Sequence, residues 1–190
     1  MKKPALTLLL PLVMATPLAA QDFEAAARSY FDTDISQWAN AQVLIDAVNA
    51  QNATTAGYSQ AEIDALDLAW RAEVGGSSTP TITPVLDNLA ANFLRERVTD
   101  SGAAITEIFV TDARGLNVAA SDLTSDYWQG DEEKHSETYA QGTGGFYISE
   151  VELDDSTQRY QAQVSFTLVD PASGQAIGAV TVGVDAESLM

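Results

Sequence analysis

Asp131, Glu132, Glu133 and His135 fall within five residues, and on a helix Asp131 and His135 share a face at i and i+4. Carboxylates and an imidazole on one face are metal-ligand chemistry, although a real site needs three or four converging ligands with supporting hydrogen bonds. The plainer reading of the same run is a solvated charged face, with His135 exposed beside Lys134. Just upstream, Tyr127-Trp128 offers two flat apolar walls with polar tips. An amine held between them gains cation–π attraction, whereas a tryptophan that plugs the core beneath a loop needs no ligand. Asp126 beside them either pairs with a ligand cation or caps the following helix. Arg114 and Arg159 can grip an anion or pair with the abundant carboxylates. Gly142-Thr143-Gly144-Gly145 lacks the spacing and trailing Lys of a phosphate loop and reads as a turn into a strand.

Composition narrows these options. The chain has 190 residues, one histidine and no cysteine. A thiol nucleophile, a disulfide scaffold and a Cys-ligated metal are excluded, and one histidine supports neither a Ser–His–Asp triad nor a His-based metal centre. Acidic pairs are too frequent for one to stand out as a two-carboxylate hydrolase site. The expectation is a protein that is not an enzyme, with no catalytic residues, no cofactor and no resident metal. At 46% hydrophobic it is apolar enough to bury a core, and its length suits one domain or one domain with a helical arm. Nine basic against 27 acidic side chains, a formal charge of −18, exclude a binder of nucleic-acid backbone.

Met1-Lys2-Lys3, the apolar stretch Ala5 to Met14 and the small residues ending at Ala20 have the layout of a secretory signal peptide. The apolar run is shorter than the roughly 20 residues a spanning helix needs, and Pro11 and Pro17 interrupt it. Cleavage near Ala20 and a periplasmic location are expected; loss of Lys2 and Lys3 takes the formal charge from −18 to −20. The expected divisions are therefore 1–20 as signal peptide, 21–76 as an N-terminal helical arm and 77–190 as the main domain.

Two periodicities divide the rest. Ile35, Trp38, Ala41, Ile45 and Val48 recur at steps of three and four. An unbroken helix from Phe23 to Asn49 would be about 40 Å long, unless Asp32-Thr33-Asp34 caps a fresh start. Ser59 and Glu62 form a capping box, with Tyr58 and Ile63 placed as a hydrophobic staple and Ile63, Leu66, Trp70 and Val74 as a buried stripe. Trp38 and Trp70 on these stripes suit core or dimer packing. Gly75 to Pro80 breaks the pattern, and a third helix is expected from Thr83-Pro84, with Val85, Leu86, Leu89, Phe93 and Leu94 facing the core. After Gly102 the period shortens. Strands are expected over Ile105–Thr111, Leu116–Ala120, Gly145–Leu153, a stretch alternating from Tyr160 to Leu168 with one wet face, and Gln175–Asp185. One long connection, Thr124 to Gly145, crosses between the second and third strands.

The segments Phe109 to Ser121, Ser125 to Glu132, Tyr147-Ile148-Ser149 with Asp154 to Thr157, and Ile177 to Asp185 resemble, in that order, pieces of Cache sensor domains. The resemblance covers roughly Ser77 to Leu189. It implies an α+β fold: a PAS-like five-stranded antiparallel sheet behind a long N-terminal helical arm. It also implies an extracytoplasmic domain that binds a small molecule between the sheet and the long connection. By the same resemblance Asp126, Tyr127, Trp128, Tyr147 and Asp154 are the candidate ligand-binding residues. Amino-acid-sensing relatives have an arginine where this chain has Asp126, which points to a cationic or neutral polar ligand instead. Membrane-bound relatives continue into a transmembrane helix, whereas this sequence ends at Met190, so the expected output is through a separate partner: a membrane kinase, a chemoreceptor or a transporter. A homodimer, and an interaction protein acting through its long helix with no ligand, are the arrangements left open.

Overall fold

A computed structural model describes residues 18–154 and 159–189. Residues 1–17, which hold the basic start and the apolar stretch of the expected signal peptide, and residues 155–158, which overlap the compared segment Asp154 to Thr157, lie outside the described residues.

The helical half breaks where short hydroxyl side chains offer the backbone other partners. Helix α1 (Leu18–Thr33) ends as the Thr33 and Ser36 hydroxyls donate to the carbonyls of Ser29 and Asp32, a local alternative to continued helix. A 3₁₀ turn at Ile35–Gln37 follows, and α2 (Gln42–Thr55) starts afresh after the extended Ala41. The 40 Å helix is thereby replaced by two shorter ones that bend along the sheet. Phe23 and Ala27 of α1, Ile35, and Leu44, Ile45 and Val48 of α2 are buried in one cluster with the sheet residues Ile108, Val110, Val164 and Val182. Each such side chain contributes about 1.5–3 kcal/mol when fully buried.

Helix α3 (Gln60–Glu73) begins at the expected capping box, with Glu62 N–H donating to Ser59 Oγ and the Ser59 N–H to the Glu62 carboxylate. These bonds from Ser59 hold the Glu62 carboxyl below its usual range. Ile63 and Trp70 are buried, but Val74 is 46% exposed. After the exposed Gly75–Ser78 loop the chain makes two helices where one was expected: α4 (Ile82–Leu86) and α5 (Leu89–Asp100). Asn88 decides the second start. Its Oδ1 accepts from the Ala91 N–H at 2.8 Å, and its Nδ2 donates to the carbonyls of Pro84, Val85 and Val118. Leu89, expected in the core, therefore sits at the first helical position with 78% exposure.

Strands β1 (Ile105–Asp112), β2 (Asn117–Ala120), β3 (Phe146–Ile148), β4 (Glu152–Asp154), β5 (Arg159–Asp170) and β6 (Gln175–Asp185) form one antiparallel sheet of order β2-β1-β6-β5-β3. The stretch Gly145–Leu153 becomes two short strands, β3 and β4, that both pair with β5 along the same edge. Five strand positions result, as expected. The apolar half of β5 (Ala162, Val164, Phe166, Leu168) faces the helices. The other half was expected to be wet. Gln161 and Gln163 are partly exposed, but Ser165 and Thr167 are buried, because the crossing connection covers that end of the face.

Asn88 separates two contributions to stability. Asn88→Ala should lower the unfolding free energy by about 1–2 kcal/mol in urea titrations, through loss of the cap. Asn88→Asp keeps an acceptor for Ala91 but no donor for the three carbonyls, and should recover part of that loss.

Candidate functional site

Strands β2 and β3 follow one another in sequence but lie at opposite edges of the sheet. Four strand spacings of about 4.8 Å put those edges roughly 19 Å apart. Residues 121–145 must therefore cross one whole face. Their path is pinned at both ends. At the start, the β1–β2 turn carries Gly115 at φ +78, where a Cβ would lie 2.5 Å from the Gly130 Cα, so two backbones meet there. The Gln129 N–H donates to the Gly115 carbonyl at 2.8 Å. That turn is held by Asp112, fully buried, whose carboxylate accepts from the Thr55 hydroxyl, Gln51 Nε2 and the N–H groups of Arg114 and Leu116 at 2.7–3.1 Å. At the far end, Thr167 donates from its hydroxyl to the Gly142 carbonyl and from its N–H to that of Gly145. A short helix, α6 (Glu133–Ser136), and a 3₁₀ turn at Tyr139–Gln141 lie over the buried half of the face.

The uncovered half is a groove of about 840 Å³. Its floor is Glu107 and Phe109 of β1 with Gln161 and Gln163 of β5; one wall is the connection, with Thr124, Ser125, Gln129, Glu132, Glu133 and Lys134; the other is the edge strand, with Tyr147, Ser149, Glu150, Glu152 and Leu153. Gly183 makes room on the floor, since a Cβ there would come within 2.8 Å of the Glu107 side chain. Five glutamates face one lysine across this space. Tyr147 donates to Glu133 Oε2 at 2.5 Å, and this hydrogen bond pushes its phenol up to about 12.

Among the five candidate residues, Tyr147 lines the groove. Asp126, Tyr127 and Trp128 lie behind it, against α3. Asp126 pairs with Arg71 at 3.3 Å and accepts from Gln129 Nε2 at 2.5 Å; it does not cap α6, whose N-cap is Glu132. Tyr127 stacks on Trp70 with centroids 5.4 Å apart, and burial pushes its phenol up to about 12. The N–H groups of Tyr127 and Trp128 both donate to Asp67 Oδ1, and the Trp128 indole donates to the Arg114 carbonyl at 2.9 Å. Asp154 closes β4 opposite Arg159, with its side chain outside the described residues. The two walls expected to enclose an amine are thus part of the protein's own packing, and Tyr127 instead borders a second, largely apolar groove between α2, α3 and α5.

His135, expected to be exposed, is 9% exposed: it packs on Tyr139 at 5.3 Å and against the Gly115 turn, and burial lowers its pKa. Arg114 donates to the Tyr58 carbonyl and Arg159 pairs with Asp185 at 3.1 Å. Among the described residues no group of three or more His, Asp or Glu side chains is placed to hold a metal ion, and no helix is long and apolar enough to cross a membrane. The groove residues missed from the sequence had one signal each. Glu107 is the one charge between Ile105 and Thr111, and Gln161 and Gln163 are the polar half of an alternating strand.

The two titrations give checkable signs. Because His135 is depressed below its ordinary value of 6.5, the unfolded chain takes up the proton first as pH falls. Stability present above 6.5 should be lost as pH drops below it, so wild type should fall relative to His135→Phe between pH 7.5 and 5 in thermal melts. For Tyr147, Glu133→Gln should bring its ultraviolet phenolate transition down from about 12 toward 10.

No family model matches this chain, and no curated protein matches it. Among solved structures it is similar to the sensor domain of the V. cholerae histidine kinase DctB, at 15% identity and a TM-score of 0.47 over 90% of this chain and 55% of that one. It is also similar to the sensory domain of the Campylobacter jejuni chemoreceptor Tlp3 solved with isoleucine bound, at 14% identity and a TM-score of 0.41 over 89% of this chain and 64% of that one. The chain thus spans less than two thirds of the length of either. Those two proteins are sensor domains of a kinase and of a chemoreceptor.

Proposed function

We propose that this protein is a periplasmic, non-enzymatic sensor module that captures a small polar metabolite in the groove between the sheet and the 121–145 connection. The observation that carries this reading is the groove itself: about 840 Å³, walled by a chain segment that crosses the sheet, with a polar floor of Gln161, Gln163 and Glu107. Pockets of this size, with a few converging polar groups, suit ligands of metabolite size. The lining selects by charge. Five carboxylates against one ammonium repel anions and draw in cations, and the partly enclosed geometry strengthens the effect relative to open surface. Tyr147 belongs to the binding surface in this reading. Asp126, Tyr127 and Trp128 act as positioning residues that fasten the connection to α3.

A ligand that bridges the two walls favours the arrangement in which they stand at its length, and this difference in affinity is what shifts the population. Asp67, Trp70 and Arg71 of α3 hold Tyr127, Trp128, Thr124 and Asp126, so a shift of the connection is passed to the helical layer. The partner that reads this change is of the membrane kinase, chemoreceptor or transporter kind.

Calorimetry and thermal-shift assays with amines, amino acids and organic acids test the reading. Amines should bind and raise the melting temperature, and organic acids should not. The double charge reversal Glu150→Lys, Glu152→Lys, at residues exposed on the edge, should weaken amine binding at least tenfold without lowering the melting temperature of the free protein. Absence of binding by all three classes, or binding that survives the reversal, would overturn it.

A further inference from the structure

The chain contains three lysines, two of them at positions 2 and 3; the third, Lys134, is in the groove. Its ammonium is 2.8 Å from Glu132 Oε2, donates to Gln129 Oε1 at 3.1 Å, and lies over the Phe109 ring at 5.4 Å from the centroid. The Lys134 side chain is 15% exposed. Gln129 is 2% exposed and Phe109 3% exposed, so two sides of this nest are rigid parts of the interior. A carboxylate, an amide oxygen and an aromatic face around one cation are the components that recognise an organic ammonium. A metal ion of the hard kind takes six or more oxygens and gains little from a ring face.

Resting on the proposed groove function, we infer that Lys134 is a tethered occupant of the groove's cation subsite, and that the ligand is a linear organic amine that displaces it. Lys134 sits on the crossing connection, so its release frees one wall of the groove to move. The rest of the lining asks for further positive charge. Tyr147, which holds Glu133, is in register with Ser165, and Glu152 with Gln161. Four residues of strand separate them, about 13 Å. Carboxylates spread over that length match two or more ammonium groups on one flexible chain better than a single compact cation.

Competition gives the inference a sign that ordinary binding residues lack. Removing a residue that contacts the ligand weakens binding, whereas removing a competitor strengthens it. Titration calorimetry with 1,4-diaminobutane and with spermidine should show Lys134→Met binding at least tenfold tighter than wild type, with Lys134→Arg close to wild type. Because Lys134 is the one lysine beyond position 3, reductive ¹³C-methylation, which keeps the charge, places a single groove reporter on the wild-type protein. Its NMR signal should move toward that of a solvent-exposed lysine as either amine is added, whatever the behaviour of the variants. An unchanged or weaker affinity in Lys134→Met, a Lys134 signal that stays still while the amine binds, or binding of calcium ion without binding of the amines overturns the inference. Succinate binding that Lys134→Met abolishes would make Lys134 an anion anchor, ending this inference and leaving the groove as a ligand site. No binding of any of these probes to wild type or variant would end this inference, and the groove reading falls with it when amino acids fail to bind as well.

Discussion

Two strands adjacent in sequence stand at opposite edges of this sheet, and the segment between them has to cross a full face to join them. The rest of the structure follows from that constraint. A free segment of 25 residues would cross at a large cost in conformational entropy, so the chain fastens it at each end. The buried Asp112 carboxylate rigidifies the turn against which Gly130 and Gln129 are laid, Asp67 and Arg71 hold the preceding residues Asp126 to Trp128 to α3, and Thr167 ties down the far end. What lies beneath the fastened part becomes interior, which is why Ser165 and Thr181 are buried and bonded to each other at 3.0 Å. What lies beside it becomes a groove.

The groove also concentrates the charge of a very acidic protein. Surface carboxylates are screened within about 8–10 Å at physiological salt and contribute little individually. Five of them facing one another across a partly enclosed space are screened less, and Lys134, the one lysine among the described residues, is placed among them. In the acidic run Asp131–Glu133, Glu132 stands at the N-cap position of α6 without a side-chain capping bond and pairs with Lys134, and Glu133 holds Tyr147.

Much of the architecture was legible in the sequence. The capping box at Ser59, the alternation along β5 and the turn at Gly115 are local features, and each arises within a few residues whatever the remainder of the chain does. The break at Thr33–Asp34 and the separate start at Asn88 were less so. Both depend on which of several competing hydrogen bonds a short polar side chain makes, and neighbours in space decide that. The candidate site was half visible. The crossing at Thr124–Gly145 is legible in the sequence, and it and Tyr147 line the groove, yet Tyr127 and Trp128 point to the other side of the connection, into the helices.

By itself the sequence determined where the helical half gives way to strands, the alternation along β5, the acidity and the presence of a long crossing. These are set by side-chain periodicity and backbone preference, which act over a few residues. Only the tertiary structure decided which side of the connection meets the sheet, which carboxylates share a space, and that Lys134 lies among them. Those depend on strand order and on the hydrogen bonds that pin the crossing, where partners are 14 to 61 residues apart, and no local pattern carries that information.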